Sequence, residues 1–149
     1  MRIALGSDHA GLDLKNAIKQ HLQDRKITVK DFGTDVGESV DYPDFGFAVA
    51  KAVASGDWDR GILVCSTGIG MSIAANKVRG IRAAVAYNVD VAVQSRAHVA
   101  ANVLVFGQKF TDPATALVAV DRWLETPFEG GRHERRVQKI VDFETRAAE

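Results

Sequence analysis

Cys65 is the only cysteine of the chain, and it closes an apolar run, Gly61-Ile-Leu-Val-Cys65. A Gly-rich turn, Ser66-Thr67-Gly68-Ile69-Gly70, follows and leads into small residues from Met71 to Lys77. An isolated cysteine in such a run is most often a small buried hydrophobe. Its place just ahead of a helix start gives it a second reading. Helix N-termini favour the thiolate, which can act as nucleophile or general base. The turn over residues 66–72 resembles an anion cradle, because glycines let the backbone come close and free N–H groups at a helix start attract negative charge. It fits a plain strand-to-helix connection equally well. It matches neither the P-loop nor the three-glycine dinucleotide fingerprint.

Four other places carry reactive side chains. Asp8 and His9 follow the first apolar run, in Gly6-Ser-Asp-His-Ala-Gly11, where Asp8 also reads as a helix cap. His98 stands late in a helical stretch with mixed faces, a setting in which a histidine is more often a surface or satisfied core residue. Lys109 follows the last apolar run through Gly107-Gln108. Arg132 and Arg136 lie four apart near a helix start and share one face. Two arginines there oppose the helix dipole, and a bound phosphate or carboxylate would offset that cost through bidentate guanidinium contacts. A solvated charged face explains them equally well.

Composition narrows the class. The chain has 149 residues, 19 Lys+Arg and 19 Asp+Glu, so its formal net charge is zero. That length fits one domain over residues 1–149, and 46% hydrophobic residues are enough for a core. Balanced charge speaks against a general nucleic-acid binder, which needs basic excess to displace counterions. One cysteine excludes an intramolecular disulfide and suits the cytoplasm. No two of His9, His21, His98 and His133 have close metal-ligand spacing in the sequence, so no zinc cluster or other metal is expected. No run is long enough for a membrane span, and the N-terminus turns polar too early for a signal peptide.

The elements that must position these groups alternate. Short apolar runs at residues 2–6, 27–32, 61–65, 82–87 and 102–106 read as strands. Helical spacing covers residues 10–24, 43–55, 71–77, 90–99 and 113–125, with Pro43 and Asp112-Pro113 as helix starts. A last helix begins near Gly131. The order predicts an α/β fold, a three-layer Rossmann-like sandwich with a five-stranded parallel sheet and an extra C-terminal helix. Ligands of such folds sit beyond the carboxyl ends of the strands. Asp8, His9, Cys65, residues 66–70, His98 and Lys109 are all expected at that one edge.

Taken together, these stretches resemble the type B ribose-5-phosphate isomerases and their galactose-6-phosphate isomerase relatives. The resemblance rests on Ile3-Ala-Leu-Gly-Ser-Asp-His-Ala-Gly11, Asp31-Phe-Gly-Thr34, Asp41-Tyr-Pro43, Gly61-Ile-Leu-Val-Cys-Ser-Thr-Gly-Ile-Gly70, Ser72-Ile-Ala-Ala-Asn-Lys77, Gly80-Ile-Arg-Ala83, Asn102-Val-Leu104 and Glu129-Gly-Gly-Arg-His133. It implies a cofactor-free aldose–ketose isomerase acting on a phosphorylated sugar, first ribose 5-phosphate and ribulose 5-phosphate. Cys65 would move the proton between C1 and C2 through an enediolate. The backbone of Ser66, Gly68, Ile69 and Gly70 would hold the developing oxyanion. Thr67 and His98 would open the furanose ring, and Asp8 would bind sugar hydroxyls. His9, Arg132 and Arg136 would hold the phosphate. The resemblance also implies a homodimer or dimer of dimers with shared sites, in which His98 and Cys65 come from different chains.

Three positions depart from the commonest family pattern: Val99 in place of asparagine, Lys109 in place of arginine, and Ser66 in place of glycine. They put the particular sugar in question, leaving allose 6-phosphate, galactose 6-phosphate or a tetrose phosphate as alternatives. A flavodoxin-like binding module would require Cys65 and His98 to be bystanders.

Overall fold

The computed structural model describes residues 1–147. Five strands, β1 (Arg2–Ser7), β2 (Thr28–Asp31), β3 (Arg60–Cys65), β4 (Ala83–Val85) and β5 (Val103–Gly107), form one parallel sheet in the order β2-β1-β3-β5-β4. The helices are α1 (Leu12–Asp24), α2 (Tyr42–Ala54), α3 (Ile69–Asn76), α4 (Val89–Val99), α5 (Pro113–Glu125) and α6 (Arg132–Ala147). The expected alternation and the additional C-terminal helix are both present. Boundaries move by at most two residues, and β4 pairs only over Ala83–Val85.

Alternation along the strands assigns the two faces. Ile3, Leu5, Ile62, Val64, Leu104 and Phe106 point one way and pack on α1, α4 and α5, with Trp123 fully buried among them. Ala4, Leu63, Cys65, Val103 and Val105 point the other way, under Val49 and Val53 of α2 and Met71 and Ala75 of α3. Each fully buried Leu or Ile contributes about 1.5–3 kcal/mol. The continuous apolar runs of β3 and β5 are thus the sequence of strands covered on both faces.

The strand order fixes where ligands can enter. The chain leaves β1 and β5 toward one face of the sheet and β3 toward the other. β3 lies between β1 and β5, so its carboxyl end opens at a point where neighbouring connections diverge. Cys65 occupies that end.

The same topology places the two ends of every helix. α4 starts beyond β4 and must return to the start of β5, so its C-terminus lies at the amino edge of the sheet. Arg82, just ahead of β4, donates from Nε to the Val99 carbonyl (2.9 Å) and from Nη2 to that of Ala100 (3.1 Å). Arg96 Nη1 donates to the Ala101 carbonyl at 2.8 Å. These guanidinium groups satisfy carbonyls at the end of α4 and hold its last turn in place. Among the described residues, no helix is long and apolar enough to cross a membrane.

Candidate active site

Cys65 is nearly buried, and its Sγ accepts the backbone N–H of Gly68 at 3.2 Å. Gly68 precedes α3 at φ 84°, in the left-handed region where a side chain would be strained. Ile69 N–H donates to Thr67 Oγ1 at 3.2 Å. The turn is backed by β5. Gln108 N–H donates to the Cys65 carbonyl (2.9 Å) and Lys109 N–H to that of Ser66 (3.0 Å). Gly107 permits this approach, since a Cβ there would lie 2.4 Å from the Thr67 carbonyl oxygen. Ser66 does not require positive φ, so serine fits its backbone without strain.

Asp8 and His9 reach the same edge from β1. Asp8 N–H donates to the Val64 carbonyl at 3.3 Å. The Asp8 carboxylate accepts from Gly11 N–H at 3.0 Å, so it does cap the first turn, a single turn of 3₁₀ helix over His9–Gly11. His9 Nδ1 accepts from Val40 N–H at 3.1 Å. In the neutral ring that leaves the proton on Nε2, as a donor. Beneath them Lys15, fully buried, donates to the Asp31 carboxylate (2.9 Å) and to the Thr34 carbonyl. Burial raises the Asp31 pKa, but Lys15, the Gly33 N–H and Lys19 outweigh it and hold the carboxyl below its usual range. This loop fastens β1 in turn, because Gly33 carbonyl accepts from Ser7 N–H at 2.7 Å.

The other expected residues are not at this edge. His98 lies in the last turn of α4, and Arg132 and Arg136 lie in the first turns of α6, at the amino edge. β3 spans six residues, and at about 3.3 Å each the two edges stand roughly 17 Å apart. The sequence expectation of a single polar edge is therefore corrected. A helix that follows a strand end carries its late residues back across the sheet, and His98 is one of them. Its neighbours are Glu129, Nε2 to Oε1 4.0 Å, and His133, whose imidazole stacks on it with centroids 4.2 Å apart. Burial, the charge of His98 and nearby Arg132 push the His133 pKa below its usual range, with Glu129 acting in the opposite sense. Val99 lines an apolar depression with Ile81, Arg82 and Ile140. Histidines far apart in the sequence nevertheless meet, since the fold stacks His98 on His133.

Around the Cys65 turn the surface is apolar and open. Ile69, Tyr87 and Phe110 line a shallow depression, each between 45% and 59% exposed. Tyr87 Oη donates to the Thr67 carbonyl at 3.2 Å, and its ring meets Phe110 edge to face.

The ribose/galactose isomerase family profile matches residues 3–140. The chain belongs to that family. Ribose-5-phosphate isomerase B of Escherichia coli is 48% identical over 97% of both chains. The D-erythrulose-4-phosphate isomerase of Pectobacterium atrosepticum is 42% identical over 97% of this chain and 95% of its own. A solved structure of ribose-5-phosphate isomerase B from Clostridium thermocellum superposes with TM-score 0.97, at 53% identity and 99% coverage of each chain. Membership of the isomerase family makes the chain a sugar isomerase by class, with the α/β fold of the type B enzymes.

Several residues around this isomerase site escape sequence reading. Gln108 caps α1 by accepting from Leu14 N–H at 3.0 Å. Tyr42 and Tyr87 flank the turn, and the Lys15–Asp31 pair supports it from below. Of these, Asp31 and Tyr42 alone fall in stretches that carry the resemblance, Asp31-Phe-Gly-Thr34 and Asp41-Tyr-Pro43. Glu129 and His133 show the four-residue spacing of a helical pair, but nothing local indicates that His98 joins them.

Proposed function

We propose that the protein interconverts ribose 5-phosphate and ribulose 5-phosphate by proton transfer, at sites shared by two copies of the chain. The observation that carries this reading is the Gly68 N–H donating to Cys65 Sγ at the head of α3. The Gly68 N–H fixes where the sulfur points, and a thiolate is the form of cysteine able to take a proton from carbon. Cys65 removes the C2 proton of the open aldose and returns it at C1, while the O2 hydroxyl proton passes to O1 and leaves the carbonyl at C2. Negative charge grows on the substrate oxygen between the two steps. The N–H groups of residues 66–70 lie beside Cys65, a set of dipoles suited to that charge. Asp8 holds sugar hydroxyls, and His9 Nε2 supplies an N–H toward the phosphate.

Ring opening and the rest of the phosphate grip then belong to a second copy. His98, Arg132 and Arg136 stand across the sheet from Cys65 in one chain, so one chain alone cannot supply both halves to a five-carbon substrate. The exposed Ile69, Tyr87 and Phe110 beside the Cys65 turn, and Ile140 and Phe143 on α6, give a partner apolar surface to cover. In a two-fold dimer each amino edge would face the other chain's carboxyl edge. His98, assisted by Thr67, moves the ring-oxygen proton, and Arg132 and Arg136 bind phosphate bidentately.

A second reading keeps the chemistry and changes the sugar. Val99 cannot hydrogen-bond, Lys109 lacks the planar fork of arginine, and one relative isomerises a tetrose phosphate. The test is proton NMR of ribose 5-phosphate with the protein in D₂O, with Cys65→Ala as control. Ribulose 5-phosphate bearing solvent deuterium, in wild type only, is the expected result. No conversion by folded protein, with turnover of erythrulose 4-phosphate, would select the second reading.

A further inference from the structure

At the amino edge, the chain brings together three donors that the isomerase chemistry does not use as a set. His98 comes from α4, Glu129 from the turn after α5, and His133 from the first turn of α6. Glu129 lies 4.0 Å from His98 Nε2 through one carboxylate oxygen and 3.5 Å from His133 Nε2 through the other. Both Nε2 atoms therefore lie beside one carboxylate, while the two imidazoles stack, 7° from parallel with centroids 4.2 Å apart. One donor atom from each residue falls within 4.8 Å of the other two.

Tetrahedral zinc holds nitrogen and oxygen donors at about 2.0–2.2 Å, which sets those donors roughly 3.3–3.6 Å apart. An imidazole holds a metal in its own ring plane, so closing the set takes donor shifts of about an ångström and a turn of the His98 ring out of its stack on His133. The side chains of His98 and Glu129 are about half exposed and can make those shifts. His133 is nearly buried and stays fixed on α6. Glu129 N–H donates to the Ala97 carbonyl at 3.0 Å, so the carboxylate is anchored beside His98 through its own backbone. Two imidazoles and one carboxylate form an open site with a further position for water. Two nitrogen donors select zinc, cobalt or nickel over magnesium and calcium, which prefer oxygen. Arg132 and Arg136 share the first turns of α6 and oppose a cation, which makes the site a reversible one.

We propose that His98, Glu129 and His133 form a site for a divalent transition-metal cation, and that an ion held there withdraws His98 from the substrate. The site stands on geometry alone, whereas its effect on turnover rests on the role given to His98 above. Metal occupancy would then act as a brake on the isomerase, released by chelation.

The test is a cobalt titration of the full-length protein, carried out in a Cys65→Ser background so that no thiolate contributes. Saturable visible d–d bands, lost in both E129Q and H133N, are expected. Zinc should displace the cobalt and magnesium should not. E129Q changes an exposed side chain, so it tests the site even if H133N fails to fold. In the otherwise unsubstituted enzyme, zinc should slow turnover of the cyclic sugar reversibly, by up to about a hundredfold at saturation, and E129Q should escape that slowing, which zinc on the Cys65 thiolate would not allow. Absence of saturable bands, or bands unaffected by E129Q, would overturn the site. Bands that vanish in E129Q, with turnover indifferent to zinc, would keep the site and overturn both the brake and the ring-opening role of His98.

Discussion

At the carboxyl edge of the sheet, Cys65, Thr67, Asp8 and His9 each bond to a backbone N–H within their own turn or on an adjoining loop. At the amino edge, His98, Glu129 and His133 meet through side chains contributed by three separate segments. The first region is a rigid cradle whose geometry follows from strand ends and glycines. The second is an adjustable cluster held in position by α4, α6 and the arginines around the end of α4. Proton transfer at carbon needs a fixed base and fixed dipoles, which the cradle provides. Ring opening and phosphate capture involve longer, more mobile groups, which suit the cluster. On the proposed reading, two such regions on opposite edges of one chain make a complete site only between chains.

Substitutions can break this comparison at either end. The largest effect is expected for Cys65→Ala, a fall in kcat of roughly 10²–10⁴-fold with the fold retained, read by steady-state kinetics and circular dichroism. Substantial residual activity would remove Cys65 as the base. His98→Asn should cost about a hundredfold on the cyclic sugar and markedly less on an open-chain substrate. Equal losses on both would contradict its ring-opening role.

The support beneath the cradle is tested by Lys15→Met. It leaves Asp31 with the Gly33 N–H and the partly exposed Lys19 and deprives the Thr34 carbonyl of its donor. Breaking a buried pair of this kind costs about 3 kcal/mol, measurable by urea unfolding. A loss under about 1 kcal/mol would show that the loop is held by other means. Arg136→Ala should raise KM about tenfold with kcat little changed, because phosphate is bound equally in ground and transition states. Unchanged kinetics would remove Arg136 from the site.

The smallest effect is one of pH. The Asp31 pKa is held below 3.8, so the folded state prefers its ionised form. Its contribution to stability is full above the unfolded value near 3.8 and is lost as pH falls through the lower folded value. Unfolding free energy should therefore drop below about pH 4, and less steeply in Lys15→Met. Parallel pH curves for the two proteins would mean that Lys15 does not set the Asp31 pKa.

The two regions also differ in how far their sequence discloses them. The cradle was legible because every part is local: an apolar strand, Cys65 at its end, Gly68 at positive φ, and a helix start. The strands of the sheet were legible for the same reason, through runs such as Gly61-Ile-Leu-Val-Cys65. The expected strand over residues 82–87 exceeds β4 because Ala86 beyond its end is buried without belonging to the strand. The amino-edge cluster was not legible. Grouping His98 with the strand-end residues neglected the length of α4, which carries it across the sheet. The meeting of His98 with His133 depends on how α6 docks, and helix docking leaves no short-range pattern. Lys15 in the core was equally hidden, since a lysine on an amphipathic helix reads as surface until its partners Asp31 and Thr34 are known.

The most direct test of a site shared between chains is complementation of two inactive variants. Cys65→Ala and His98→Asn proteins are mixed, unfolded together and refolded, and activity is followed on ribose 5-phosphate, or on whichever sugar phosphate the wild-type protein proves to turn over. If the halves come from different chains, a mixed dimer carries one site with both substitutions and one with neither. Random pairing then restores about a quarter of wild-type activity from two inactive parents. If mixed dimers form and the mixture stays inactive, Cys65 and His98 do not act across a chain boundary, and the account is wrong at its centre.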